Sequence, residues 1–389
     1  MFSNIFAQEQ QNGFGSAEKT NLKISGIIQG QYQWGEENAS LMVGTPNEKP
    51  GESFNRIGIR RGRIKIAYEE GIASGVFQLD MTEKGVGIKD AYFNIKDPWT
   101  KAIALKAGIF NRPIGNEISY SSSLLESPER STIIRTLFPE ERDLGAAIIM
   151  QPSKSSPLHF LKLEAGLFAG NGVKQETDSR RDFIGHLSAN KKMKNIEFGG
   201  GVSYYNGSVF QGTEFVYRMV NDVFIPNNSA DNKGKFAKRE YIGFDGQLSM
   251  KTEIGTTQLR AEYLFGEQPG TADKSMSPNS SSLPSHDTYI RNFSGGYIIL
   301  VQGLGNLPLY AVLKYDWYDP NTKVSGQNNA TTGDIARNTF GLGAFWNINT
   351  SLRLQIYYDI NKNEKSANLA GYTEDVKDNV FTIRMQYKF

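Results

Sequence analysis

The chain has 389 residues, of which 39% are hydrophobic and 12% aromatic, with 40 Gly, three His and no Cys. A net charge of +2 without a dense basic run gives nucleic acid no electrostatic handle. Missing cysteine excludes thiol catalysis, thiolate metal sites and disulfides. No stretch reaches the ~20 apolar residues of a spanning helix, so a membrane protein of this sequence must be a closed barrel.

In chain order, Met1-Phe2-Ser3-Asn4-Ile5-Phe6-Ala7-Gln8 lacks a basic leader and reads as the end of a secretory signal peptide with its upstream part missing, the alternative being a disordered soluble N-terminus. Residues 1–19 are therefore expected to be a signal remnant and a periplasmic segment, and 20–389 a single transmembrane barrel. Alternation of apolar and polar residues predicts strands at 20–34, 56–69, 73–83, 87–97, 101–110, 143–151, 158–170 and 181–191. It continues at 195–206, 238–250, 255–265, 288–302, 308–319, 337–347, 351–361 and 379–389, about sixteen in all. The last is the clearest: Phe381, Ile383, Met385, Tyr387 and Phe389 fall on one face, and Thr382, Arg384, Gln386 and Lys388 on the other. Ten residues of strict alternation exceed a typical soluble strand.

The connections alternate as well. Short ones, such as Glu70-Gly71 and Lys192 to Lys194, separate long ones at 35–55, 111–142, 171–180, 207–237, 266–287, 320–336 and 362–378; Lys84-Gly85-Val86 is the short exception. Short periplasmic turns, long extracellular loops and an even strand count characterise outer-membrane barrels and leave both termini in the periplasm. Trp34, Trp99, Trp317 and Trp346 fall near strand ends, where interfacial aromatics belong.

In a channel the chemistry is charge at the narrow zone. Lipid-facing Arg costs ~2–4 kcal/mol at the midplane, so Arg61, Arg63 and Lys65 must face the lumen and Ile64, Ile66 and Tyr68 the lipid. These cations either raise anion occupancy or pair with Asp80 and Asp90, phased inward on the next strands. Further inward sets are mixed: Lys162 with Glu164, Arg260 with Glu262, Lys314 with Asp316, and Arg353 with Asp359. Segment 111–142 is too long for an idle connection. It carries Arg112, Arg130, Arg135, Arg142, Glu117, Glu126, Glu129, Glu140 and Glu141, and a short helix is expected at Ser121-Ser122-Ser123-Leu124-Leu125. Either it enters the pore as a constriction or it lies over the mouth as a lid.

Enzymatic chemistry finds little support. His159, His186 and His286 are scattered, and neither Gly-x-Ser-x-Gly nor His-Glu-x-x-His occurs. No metal or cofactor is expected.

Arg60-Arg61-Gly62-Arg63-Ile64-Lys65-Ile66, Gly87-Ile88-Lys89-Asp90-Ala91-Tyr92, Lys106-Ala107-Gly108-Ile109-Phe110-Asn111-Arg112-Pro113 and Glu129-Arg130-Ser131 resemble the family of phosphate-selective porins O and P. The resemblance covers roughly 55–150. The terminal Phe389 resembles the usual ending of outer-membrane barrel proteins. The family resemblance implies a trimeric sixteen-stranded barrel in the outer membrane, among phospholipid and lipopolysaccharide, with the third loop folded into the pore. The family's lysine cluster in that loop is missing, since 111–142 holds no Lys. The expectation is passive diffusion of small polar solutes and ions with a mild anion preference and phosphate as the family's solute. The competing readings are a barrel-anchored adhesin acting through its long loops, and a barrel enzyme. The adhesin would call for an occluded lumen, whereas the inward sets are mostly short polar residues, Gly and charges, which favours an open one.

Overall fold

A computed structural model gives the fold of residues 21–389; the expected signal remnant and N-terminal segment, 1–19, lies outside the described residues. The chain runs through β1 (Lys23–Gly35), β2 (Phe54–Glu70), β3 (Ala73–Thr82), β4 (Gly85–Lys96), β5 (Ile103–Asn111), α1 (Thr132–Leu137), β6 (Arg142–Met150), β7 (Leu161–Phe168), β8 (Asp182–Lys192) and β9 (Ile196–Phe210). It continues with β10 (Val216–Val220), β11 (Val223–Asn227), β12 (Phe236–Thr252), β13 (Gly255–Gly270), β14 (Thr288–Gly303), β15 (Leu309–Asp319), β16 (Arg337–Asn347), β17 (Leu352–Asn363) and β18 (Val380–Lys388). All sixteen expected strands form. Each pairs antiparallel with its neighbours, β9 pairs with β12, and β1 closes the barrel on β18 from Ile27↔Lys388 to Gly35↔Val380. The remaining pair, β10 and β11, is a hairpin inside the 207–237 connection, where only a loop was expected. It docks parallel on the start of β14 at Val216↔Thr288.

The outer face is an apolar band: Ile64, Ile66, Phe77, Phe93, Leu105, Ile148, Leu187, Val202, Phe244, Leu313 and Ile356 are all exposed. Two bulges interrupt the period-two pattern where charge is densest. In β2 the register runs Gln29↔Arg61 and then Gly30↔Ile59, leaving Arg60 as the extra residue. Ile57 and Ile59 therefore stay outside above the bulge and Ile64 and Ile66 below it, while Arg60 and Arg61 both turn inward. In β4 the register runs Gln78↔Asp90 and then Leu79↔Ile88, so Lys89 is extra and reaches the loop beside inward Asp90.

The inward face corrects one expectation. It is not mostly short and polar, because one side carries Phe168, Tyr205, Tyr241, Phe293 and Tyr318, all buried. These rings are covered by the 111–142 segment, whose Ile114, Ile118, Ile133, Ile134, Leu137 and Phe138 complete a core inside the barrel. Phe138 meets Tyr241 edge-on at 5.8 Å, and Tyr205 stacks on Tyr241 at 4.8 Å. At about 1.5–3 kcal/mol per buried large side chain, this packing is the main hold on the loop. The helix expected at 121–125 forms instead at Thr132–Leu137; the serine run makes only a turn. Serine competes for backbone hydrogen bonds, whereas α1 is held by the burial of its Ile133, Ile134 and Leu137.

Candidate functional site at the inserted loop

The segment between β5 and β6 leaves the wall at Arg112. Arg112 is buried and bonded through Nε to Asp143 at 3.1 Å, at the loop's root. The chain then crosses the lumen. Gly115, with φ +57, turns it against Glu262, where an added Cβ would sit 1.8 Å from Oε1. The backbone N–H groups of Asn116 and Glu117 donate to Glu262 at 3.1 and 3.0 Å, and that of Gly115 to the Ser203 hydroxyl at 2.8 Å. Glu117 receives the backbone N–H of Ser131, which closes the loop on itself, and faces Lys314 at 3.4 Å.

The far side of the loop is held by charge. Glu126 pairs with Arg260. Glu129 is clasped by three arginines: Arg60 bonds both its oxygens at 2.7 Å, Arg61 lies at 3.1 Å and Arg384 at 3.0 Å. Burial pushes the Glu129 carboxyl up, but Arg60, Arg61 and Arg384 outweigh it and hold the group well below the usual carboxylate range. The same balance acts on Glu141, which burial raises and Arg130, Lys89 and Arg142 pull well below the usual range. Ser122 adds a hydroxyl contact to Arg63, and its carbonyl receives Gln29.

A second long connection braces the first from above. The backbone N–H of Ser277 donates to the Thr136 carbonyl at 3.0 Å, while Arg239 holds the Ser277 hydroxyl at 2.7 Å. Asn279 reaches the Pro139 carbonyl at 3.4 Å. The aromatic side of the lumen is thus filled by α1 and capped by 271–287.

What stays open lies on the opposite side. A cavity of about 200 Å³ separates Ser119, Tyr120, Ser121, Ser122 and Ser123 from the wall of β1–β3 and β5. Its charged lining is Arg63, Lys65, Arg130, Arg142 and Lys388, with Gln78 and Asn111 as amides and no carboxylate.

The expected residues distribute as follows. Arg61, Arg63 and Lys65 face inward, Arg61 bonded to Glu129 and Arg63 to Asp80 at 2.9 Å; Arg63 and Lys65 line the cavity. Asp90 is buried and pairs with Arg142 at 3.1 Å. Arg130 braces the loop internally, to Glu141 at 2.7 Å and the Tyr120 carbonyl at 2.8 Å, while still edging the cavity. Arg135 is exposed on α1 and makes no ion pair among the described residues. Arg112 stands apart at the root. Sequence reasoning missed Arg60, Lys89 and Arg384 as partners of the loop carboxylates. His186 pairs inward with Asp245 at 2.8 Å as part of the wall.

The barrel was compared with known proteins. No family model matches the chain, and no curated protein sequence matches it. Solved structures match over nearly its whole length. OprB of Pseudomonas putida, in its high-pH structure, superposes with a TM-score of 0.61 at 9% identity, covering 95% of this chain and 94% of that one. The outer membrane channel DcaP of Acinetobacter baumannii gives 0.56 at 12% identity, covering 97% and 99%. The trimer form of OmpT, an outer membrane protein of Vibrio cholerae, gives 0.56 at 11% identity, covering 96% and 100%. The fold is that of outer-membrane porins. At about one identical residue in ten, the likeness is one of architecture, so the function of this barrel has to be argued from its own lining.

Proposed function

We propose that the chain is an outer-membrane porin that passes small polar solutes and ions by passive diffusion, with a preference for anions, phosphate among them. The observation that carries this reading is the cavity beside the inserted loop, lined by Arg63, Lys65, Arg130, Arg142 and Lys388 without a carboxylate. Such a zone raises the local concentration of anions and repels cations. Carboxylates behind the lining offset part of this charge, Asp80 on Arg63, Asp90 and Glu141 on Arg142, and Glu141 on Arg130, while next to the cavity Glu129 is shared among three arginines and leaves that stretch of wall with a positive excess. The apolar outer band supports a place in the outer membrane, and the alternation of short turns with long loops supports long loops on the outer side. The trimer form of OmpT supports a homotrimer here. No catalytic role is assigned: the inward His186 is held by Asp245 in the wall. An adhesin reading gains no observation of its own.

Planar-bilayer recording under a salt gradient tests the proposal. The expected result is a conducting channel whose reversal potential has the sign of anion preference. A non-conducting barrel, or a cation-selective one, overturns it.

A further inference from the structure

Outside the pore, the upper rim of β8, β9 and β12 carries a second basic hollow. It is an open depression of about 470 Å³ lined by Arg180, Lys235, Lys238, Ser208 and Phe236, with backbone from Gly207 and Gly234. Its three cations are exposed, and no carboxylate lines it. Its floor is ordered: Arg180 lies over the Phe236 ring at 4.8 Å, and Phe236 meets Phe210 edge-on at 5.6 Å. Lys238 also touches Glu240 at 2.7 Å, but Glu240 accepts the Tyr204 hydroxyl as well, and an ammonium keeps two further donors.

The height of this hollow on the barrel gives it meaning. Lys238 pairs with Ser208, and Ile242 with Tyr204, on the outward phase of the same two strands. Ile242, Val202, Phe244 and Leu187 belong to the lipid-facing band, and Phe183 with Tyr204 forms an aromatic pair at its upper edge. Lys238 stands four residues above Ile242, about 13 Å along the strand. That is the level of headgroups in the outer leaflet, directly over an apolar wall.

We propose that Arg180, Lys235 and Lys238 form a binding site for the phosphate groups of an outer-leaflet amphiphile, a phosphorylated glycolipid whose acyl chains lie along Val202, Ile242 and Phe244. The proposal uses the membrane placement of the barrel and is independent of its ion preference. Free phosphate would find the same cations but gain nothing from the apolar wall, so the lipid is the occupant.

The test reconstitutes the full chain in phosphatidylcholine nanodiscs with a small fraction of diphosphorylated lipid A and counts retained lipid by native mass spectrometry. The triple variant Arg180→Gln, Lys235→Gln, Lys238→Gln should weaken retention on the order of a hundredfold, roughly fivefold for each cation lost. A matched variant in the other loops, Lys49→Gln, Lys323→Gln, Lys365→Gln, should retain lipid as the parent does. Dephosphorylated lipid A should bind the parent no better than the phosphorylated lipid binds the triple variant, and excess orthophosphate should not displace the lipid. Single-channel conductance equal to the parent's shows that the variant barrel is folded and separates this proposal from the channel reading. If the triple variant fails to insert, Lys238→Gln alone decides, with an expected fivefold loss. Parent-like retention by the variant, equal binding of the dephosphorylated lipid, or displacement by orthophosphate each overturns the proposal.

Discussion

Replacing Glu129 by Gln removes the one carboxylate that Arg60, Arg61 and Arg384 share, at 2.7–3.1 Å. Breaking a buried pair from one side costs about 3–5 kcal/mol. The loop is also held by Ile133, Ile134, Leu137 and Phe138 against the aromatic wall, at about 1.5–3 kcal/mol each. The apolar side therefore outweighs the lost clamp, and the loop should loosen around 122–130 without leaving the lumen. The electrical effect is larger than the mechanical one. A unit charge ~4 Å from a passing ion is worth about 1 kcal/mol even at the dielectric of water, which is an upper bound for Glu129 because it stands behind the cavity lining. Losing a negative charge favours anions and disfavours cations equally, so the permeability ratio moves by about 2 kcal/mol, or roughly thirtyfold, before screening. With a screening length of ~10 Å at 0.1 M salt, about tenfold remains.

The assay is reversal potential and single-channel conductance of Glu129→Gln in planar bilayers at 0.1 M and 1 M salt. Anion preference should rise by up to about tenfold at 0.1 M and much less at 1 M, with a modest gain in conductance. An unchanged reversal potential in a folded, conducting barrel would refute the electrical coupling of the Glu129 clamp to the permeation path.

Four further outcomes are expected. Arg61→Ser with Arg63→Ser should lower the anion/cation ratio more than Lys274→Ser in an outer loop, read by the same reversal potential. Deleting 118–135 should raise single-channel conductance, and an unchanged value would show that this loop is not the constriction. Glu129 and Glu141 have lowered native pKa values, so their anchoring is complete above the unfolded carboxylate value of about 4.3 and is lost only as pH falls through the lower native one. Conductance should accordingly show no step from loop release between pH 6 and 4. Asp378, raised to about 6 by burial against the pull of Arg337, and further by Asp375 and Glu36, should act in the opposite sense. It favours the native 364–379 loop most below pH 4 and progressively less up to pH 6. Hydrogen exchange there, corrected for intrinsic rate, should be faster at pH 7.5 than at pH 5.

The barrel was legible because a membrane wall enforces alternation over its full height. Phe381 to Tyr387 in β18 and Leu352 to Ile360 in β17 keep one phase throughout, and lipid on one side and water on the other permit nothing else. The site was legible only where that rule holds. Arg61, Arg63 and Lys65 follow the phase of β2 below its bulge, whereas Arg60 sits on the extra residue and escapes a period-two reading. A signal was present: Ile57 and Ile59 are odd-numbered, Ile64 and Ile66 even-numbered, and both pairs cannot face lipid without an inserted residue between them. Lys89 is hidden in the same way between Ile88 and Phe93. The aromatic wall was illegible for another reason. Phe293 lies between Asn292 and Ser294, Tyr241 between Glu240 and Ile242, and Tyr205 between Tyr204 and Asn206, so a local reading gives these rings to the lipid face or leaves the face open, and nothing in their own strands marks that a loop covers them.

The two faces of the inserted loop divide the work of the pore. On the aromatic side, α1 and the 271–287 connection displace water from the lumen, and a core packed like a protein interior leaves no route for ions there. Any path must then run along β1–β3, where the loop presents serines rather than apolar residues. On that side the loop cannot be held by burial without closing the gap, so it is held by charge. Each carboxylate doing so neutralises wall cations that would otherwise face solute. Sharing Glu129 among Arg60, Arg61 and Arg384 resolves the conflict, because one negative charge fixes the loop to three arginines and leaves the wall with a positive excess. The bulge at Arg60 makes that sharing possible. It brings two adjacent arginines to one face of a strand, which regular pleating would have sent to opposite sides.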